Sequence, residues 1–311
     1  MPTEAVKIFS GTNSRYLAEK IAELYGKPLG NMVVQRFGDG EIAPFYEESV
    51  RGCDVFLVQS TCPPAENIME LLLMIDAAKR ASAKYVTLVV PYFGYARQDR
   101  KDKPRVAIGA KVVANLFAAA GADRLMTCDL HAGQIQGFFD FPVDHLDGLS
   151  NFIPYIKSLE LDNIIFAAPD VGGVGRARSF AKYFQADLVV CDKHRKRANE
   201  VASMQVIGDV KDANVIIVDD IIDTGGTICK AAEIILDKGA KSVRAICTHP
   251  VLSGNAYATV SNSKLTELIV SDTLPLRQEV PKIKVLSVGK LFAEAIRRIH
   301  EHESISSLFI S

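Results

Sequence analysis

No apolar run in the 311 residues approaches the roughly 20 needed to cross a bilayer, so a membrane-spanning helix is not expected. Charge of one sign is not in excess. The 36 Lys and Arg stand against 37 Asp and Glu, for a formal net charge of −1. That balance supplies no bulk electrostatic drive toward nucleic acid or an anionic membrane surface. Cys53, Cys62, Cys128, Cys191, Cys229 and Cys247 contain no Cys-x-x-Cys pair, and several sit in apolar segments. Reduced, buried thiols are therefore expected, rather than disulfides or a zinc centre. There is no low-complexity segment and no internal repeat with a period of about 20–50 residues. The opening stretch MPTEAVKIFSG has no signal-peptide pattern. What remains is an ordinary balance of 48% hydrophobic and 23% charged residues. A cytoplasmic enzyme is the simplest class.

The length suits two domains of about 150 residues each. Strand-like and helix-like segments alternate throughout. In the first half Val6–Phe9, Asp54–Gln59, Tyr85–Pro91 and a last strand beginning at Arg124–Thr127 alternate with helices over Ser14–Tyr25, Ala65–Arg80 and Ala107–Ala120. The second half repeats the theme with strands at Asn163–Ala168, Asp187–Cys191, Val215–Val218, Ser242–Thr248 and Thr266–Val270. Its helices are expected over Gly175–Phe184 and Thr227–Lys238, with a final helix at Leu291–Ile299. Such alternation predicts an α/β fold: mostly parallel sheets with helices on both faces. The stretch Pro142–Pro154, with Gly148, Ser150 and Asn151, is the best boundary. Domains are accordingly expected over 1–146 and 147–290, with 291–311 a helix and tail that packs on the first.

The most informative stretch is Val215–Thr227, VIIVDDIIDTGGT. A buried apolar run ends in two carboxylates, Asp219 and Asp220, and an Asp-Thr-Gly-Gly-Thr loop then opens a helix. The carboxyl end of such a strand is where open α/β sheets bind ligands. Gly225 and Gly226 let backbone N–H groups approach a phosphate at the positive end of the helix. Thr224 and Thr227 add hydroxyls. Asp219, Asp220 and Asp223 can accept from sugar hydroxyls or help hold hydrated Mg²⁺. The loop is suited to a sugar phosphate, and it resembles the fingerprint of the type I phosphoribosyltransferase fold.

Other motifs narrow the reading. They are RFGDGE (Arg36–Glu41), PYFGYARQDR (Pro91–Arg100), DLHAGQIQGFF (Asp129–Phe139), PDVGGVGRAR (Pro169–Arg178), DKHRKR (Asp192–Arg197) and HPVLSGNA (His249–Ala256). In this order, with the Asp219–Thr227 loop, they closely resemble the ribose-phosphate diphosphokinase family over nearly the whole chain. The glycines of PDVGGVGR also mimic a dinucleotide fingerprint. No suitably placed acidic residue completes it.

The resemblance implies two phosphoribosyltransferase type I-like domains, the first for ATP binding and assembly and the second for ribose 5-phosphate. It implies transfer of diphosphate from ATP to the anomeric hydroxyl, with Mg²⁺ as cofactor. By the same resemblance, Lys193 and Arg195 stabilise transition-state charge; their segment follows a predicted strand and leads as an extended loop into RANEVAS, which suits a mobile lid. His131 and Asp170 are the implied metal ligands. Phe37, Asp39, Gly40, Glu41, Arg97 and Gln98 form the implied ATP site, the first set reaching in from a neighbouring subunit of a homo-oligomer, with a hexamer favoured. Asp219, Asp220, Asp223, Thr224, Gly225, Gly226 and Thr227 bind ribose 5-phosphate. Arg51, Gln134, Asp144, Ser306 and Ser307 mark the family's effector site, where phosphate commonly activates and ADP inhibits. No nucleic acid or membrane partner is implied.

Three stretches depart from the family pattern. Residues 60–67 lack the usual Asn-Asp-Asn, 101–109 is short with Gly109 where Thr is usual, and His145 replaces a common Asn. These changes bear on regulation more than on catalysis. A phosphoribosyltransferase, a non-catalytic homologue and a nucleic-acid binder are the rival readings. The first needs only one such domain, the second should have lost the cations or acids, and the third predicts steeply salt-dependent binding.

Overall fold

The computed structural model describes residues 5–197 and 200–308, without the side chains of 193–203 and of Ser307. The chain divides into two compact units, one comprising 5–147 together with 288–308 and the other 148–287.

In the first unit the elements run β1 (Val6–Ser10), α1 (Arg15–Tyr25), β2 (Met32–Arg36), β3 (Ile42–Tyr46), β4 (Asp54–Val58) and α2 (Glu66–Arg80). Then come β5 (Tyr85–Val90), α3 (Gly109–Ala120), β6 (Arg124–Cys128) and β7 (Val143–Leu146). The sheet has the order β1-β4-β5-β6-β7 and every pairing is parallel. Alternate residues of each strand leave on opposite faces, so a sheet covered on both sides needs apolar residues at both parities. On one face Val55, Leu57, Leu88 and Val90 meet Leu71 and Ile75 of α2 and Phe117 of α3. On the other, Ile8, Phe56, Val58 and Met126 meet Leu17 and Ile21 of α1.

The second unit contains α4 (Ile153–Ser158), β8 (Ile164–Ala168), α5 (Val174–Phe184), β9 (Asp187–Arg197), β10 (Glu200–Ile207) and β11 (Asn214–Ile222). It continues with α6 (Gly226–Asp237), β12 (Ser242–Pro250), α7 (Ala256–Ser261), β13 (Glu267–Ser271) and β14 (Ile283–Leu286). Its seven strands lie in the order β10-β9-β8-β11-β12-β13-β14, parallel except for β10. Ile217, Ala245 and Val270 pack with Ile228 and Ile235 of α6, and Ile216, Val218 and Ile246 pack with Phe180 of α5. The last helix, α8 (Gly289–His300), belongs to the first unit. Its Phe292 and Ile296 join Leu17 and Ile21 in the core, and Arg297 donates to the carbonyls of Leu24 and Tyr25 at the end of α1.

Both units thus have the expected α/β build, with three corrections to the strand reading. Arg124–Thr127 does not begin the last strand of the first unit, because β7 follows it inside the stretch read as a boundary. Asp219 and Asp220 lie within β11, which runs on to Ile222. The basic segment is not a loop: β9 extends through Arg197 and pairs with β10. Among the described residues all six cysteines are free thiols, and no helix is long and apolar enough to cross a membrane.

Candidate active site

In the second unit β11 runs between β8 and β12, so its carboxyl end is flanked by two further strand ends. Asp219 and Asp220 occupy that end, and Asp223 to Gly226 turn the chain into α6. Gly225 has φ +76° and ψ −11°. That is the left-handed region, and the nearest atom to an added Cβ is 3.5 Å away. Backbone conformation rather than crowding therefore requires glycine here. Having no side chain, Gly225 leaves the first-turn N–H groups of α6 uncapped. This is the physical basis of anion binding at a helix start.

Carboxylates gather beside this turn. The Arg176 guanidinium of α5 lies 3.1 Å from Asp220 Oδ1, and the Asp220 side chain is 4% exposed. The Asp220 N–H donates to Asp219 Oδ1 at 2.9 Å. Asp170 lies two residues beyond β8 and takes the N–H of Gly173 on its carboxylate at 3.1 Å. Burial holds the Asp219 carboxyl well above the usual carboxylate range, and the charges of Asp220 and Asp170 push it further. Arg176 pulls it back only in part. Burial, with Asp170 nearby, also pushes the Cys191 thiol up to about 11. The cluster carries more negative charge than its own cation offsets.

In the first unit a cleft of about 560 Å³ opens beyond the ends of β5 and β6. Arg97, Gln98, Arg100, Lys103 and His131 line it, with Asp99 and Asp102. Arg97, Gln98 and His131 are thus brought together. Phe37, Asp39, Gly40 and Glu41 do not line this cleft. They form the exposed turn between β2 and β3, where Gly40 N–H donates to Phe37 O and Glu41 N–H to Asp39 Oδ1. Phe37 is 51% exposed. Gly109, at the start of α3, abuts the cleft wall, and an added Cβ would come within 2.6 Å of Gln98 Oε1.

Lys193 and Arg195 stand opposite Met204 and Val201 in the β9–β10 ladder. Their side chains lie outside the described residues.

Residues 6–121 match the model of the N-terminal domain of ribose phosphate pyrophosphokinase, and 190–310 match the phosphoribosyl synthetase-associated domain. The ribose-phosphate pyrophosphokinase of Porphyromonas gingivalis is 59% identical over 303 residues, 97% of either chain. That of Campylobacter jejuni is 57% identical over 305 residues, 98% of this chain and 99% of the relative. The chain belongs to the ribose-phosphate pyrophosphokinase family. The crystal structure of phosphoribosylpyrophosphate synthetase from Mycobacterium smegmatis superposes with a TM-score of 0.90 at 39% identity, covering 96% of this chain and 100% of that one. The chain is accordingly an enzyme of this family, with its phosphoribosyltransferase-like fold.

Residues read as the pyrophosphokinase effector set are only partly gathered. Asp144 takes two bonds from Arg124, at 3.0 and 2.8 Å, and lines a cleft of about 390 Å³ with His145, Asp129, Gln136 and Ile305. Gln134 instead donates to Asp99, a residue of the larger cleft. Arg51 donates to Ser82. Ser306 bonds to Ser304, and the Ser307 side chain lies outside the described residues. Two residues at the β11–α6 turn escaped the sequence reading. Arg176 and Ser253 lie within the quoted motifs PDVGGVGRAR and HPVLSGNA, but only parallel pairing of β8, β11 and β12 brings them to Asp220 and Asp223.

Proposed function

We propose that the chain transfers diphosphate from ATP to the anomeric hydroxyl of ribose 5-phosphate, giving 5-phospho-α-D-ribose 1-diphosphate and AMP. The observation that carries this reading is the β11–α6 turn, in a chain akin to ribose-phosphate pyrophosphokinases over almost its whole length. The anomeric oxygen attacks the β-phosphorus and its proton passes to water, the bond from that phosphorus to the α-phosphate oxygen breaks, and AMP leaves with that oxygen. Such transfers depend chiefly on positioning and on offsetting developing charge. The first-turn N–H groups of α6, with Thr224 and Thr227, hold the 5-phosphate. Asp219, Asp220 and Asp223 orient the sugar hydroxyls. Arg97, Gln98 and His131 take the nucleotide, and Lys193 and Arg195 face the transferring phosphates.

The donor set fits Mg²⁺. Asp170, Asp219 and Asp220 offer oxygen in a cluster with surplus negative charge, whereas the His131 nitrogen suits contact through water or to ATP. Among the described residues no three His, Cys, Asp or Glu side chains form a ready metal cage. Mg²⁺ characteristically takes one or two carboxylates plus substrate phosphates. Bound there, it would supply charge neutralisation across the phosphate oxygens. Excess EDTA should abolish turnover, and added Mg²⁺ should restore it; turnover in EDTA would contradict the metal assignment.

The chain assembles as a homo-oligomer, and the turn at Phe37–Glu41 completes the nucleotide site of a neighbouring subunit. Exposure of Val33 and Phe45, paired across the β2–β3 hairpin, and of Phe37 at its tip supports this. Gly109 sets the position of Gln98 toward the nucleotide. Gly109→Ser should leave the melting temperature within a few degrees, because the atoms that must give way all belong to the Gln98 side chain, from its Cβ at 3.3 Å to its Oε1 at 2.6 Å. It should change KM for ATP about three- to ten-fold, the scale of one altered polar contact. An unchanged KM would separate Gln98 from nucleotide binding.

Phosphorus NMR of the reaction mixture tests the transfer itself. The reading requires AMP and a diphosphate attached to the sugar. Formation of ADP with a sugar carrying single phosphates at C1 and C5 would overturn it.

A further inference from the structure

We infer that Ser253 is a positioning residue for ribose 5-phosphate: it aims the Asp223 carboxylate, and the segment 252–260 acts as a template for the sugar loop. The inference rests on the sugar-site assignment above and goes beyond it to a segment that assignment does not use.

Three hydrogen bonds tie the two loops together. Leu252 N–H donates to Ile222 O and Ser253 N–H to Asp223 O, each at 3.0 Å. The Ser253 hydroxyl donates to Asp223 Oδ1. Two successive backbone bonds fix where the Asp223 main chain sits, and the third fixes where its side chain points. Farther along, the same segment meets the other end of the loop. Val260 Cγ2, Ala256 O and Thr259 Cγ2 lie 3.5, 3.8 and 3.8 Å from where a Cβ on Gly225 would be. One stretch of chain therefore bonds the acidic end of the sugar loop and passes beside its glycine end.

The backbone of that stretch is itself held in an uncommon state. Leu252 has φ +44°, in the left-handed region that a leucine rarely adopts, and its side chain is buried in the core of the second unit. Such a conformation persists where surrounding contacts over-determine it, and such sites concentrate where groups must be pre-positioned. Gly254 follows at φ +56°, and Ser253 O accepts from Ala256 N–H as α7 begins. Ser253 thus sits on a braced turn. A carboxylate that is already aimed loses less rotamer freedom when a sugar hydroxyl binds, which strengthens binding without a new contact to the ligand.

The test compares Ser253→Ala, Ser253→Thr, Asp223→Asn and the double variant Ser253→Ala/Asp223→Asn in the full-length enzyme. Ribose 5-phosphate binding is measured by calorimetry, and KM and kcat by AMP release. Loss of one hydrogen bond to a charged group predicts about a ten-fold weaker sugar affinity for Ser253→Ala. KM for ATP and the melting temperature should stay near those of the parent, and Ser253→Thr should restore affinity. Because Ser253 acts through Asp223, the double variant should bind no more weakly than Asp223→Asn alone. Parent-like sugar affinity in Ser253→Ala, or equal losses toward sugar and ATP, would overturn the inference while leaving the sugar site standing. No binding of ribose 5-phosphate by the parent would overturn the sugar-site assignment and this inference with it.

Discussion

Lys193→Ala is expected to lower kcat by three or more powers of ten with folding and assembly unchanged. The expectation begins with strand register. β9 pairs with β8 up to Val190 opposite Ala168, the residue two before Asp170. The backbone of Lys193 and Arg195 therefore extends past the carboxyl end of β8, in the sheet that carries the β11–α6 turn. The backbone there is held by pairing with β10. Charge offered to the equatorial oxygens of a transferring phosphate acts mainly in the transition state. Its removal should appear in kcat rather than in KM. Each tenfold corresponds to about 1.36 kcal/mol, so a thousand-fold loss is about 4 kcal/mol, within the range for one preorganised electrostatic group. Arg195→Ala should act in the same direction, and the double variant should lose less than the product of the two. A kcat for Lys193→Ala within a few-fold of the parent would remove the residue from the mechanism.

Asp219→Asn is expected to bind ribose 5-phosphate poorly yet to melt at a higher temperature than the parent when no ligand is present. Burial and the neighbouring carboxylates raise the folded carboxyl of Asp219 above its unfolded value. A raised acid binds its proton more tightly in the folded state. It contributes stability that is complete below about pH 4, the unfolded value, and is lost as pH rises through the folded one. Asparagine keeps an oxygen for the Asp220 N–H and carries no charge at any pH. The two melting temperatures should converge near pH 4 and separate as pH rises. At neutral pH and above, the variant should be ahead by about 2–8 °C, the scale of 1–2 kcal/mol in a unit of this size. Scanning calorimetry from pH 4 to 9 on ligand-free protein provides the check. A variant that melts below the parent at pH 8 would contradict the electrostatic account of the site. The stabilisation would also place Asp219 among residues kept for binding at the expense of stability.

Some parts of the molecule declared themselves in sequence because local physics alone defines them. The run Val215–Val218 is apolar at both parities, as a central parallel strand must be, and the glycines after it have few other uses. The hairpin β2–β3 has no such signature. Its residues are half-buried or exposed and it carries Pro44, which normally argues against a strand and is tolerated on a two-stranded ribbon. β9 was read as ending at Cys191 because KHRKR has no apolar alternation. Pairing with β10, an edge strand, lets it continue as a charged strand. The acid pair itself was legible. Its counter-ion was not, since Arg176 is 44 positions from Asp220 and reaches it only through the adjacency of β8 and β11. Ser253 is hidden in the same way behind the pairing of β11 with β12. Residue types at a strand end are local information, whereas their partners on neighbouring loops are set by strand order.

The measurement that bears most directly on the central claim is AMP release from ATP and Mg²⁺, with and without ribose 5-phosphate, across a titration of inorganic phosphate and ADP. The account predicts AMP only when the sugar phosphate is present, in a one-to-one ratio with sugar diphosphate. No sugar-dependent AMP at any phosphate concentration would contradict it, and would leave a ribose-phosphate pyrophosphokinase fold without the transfer.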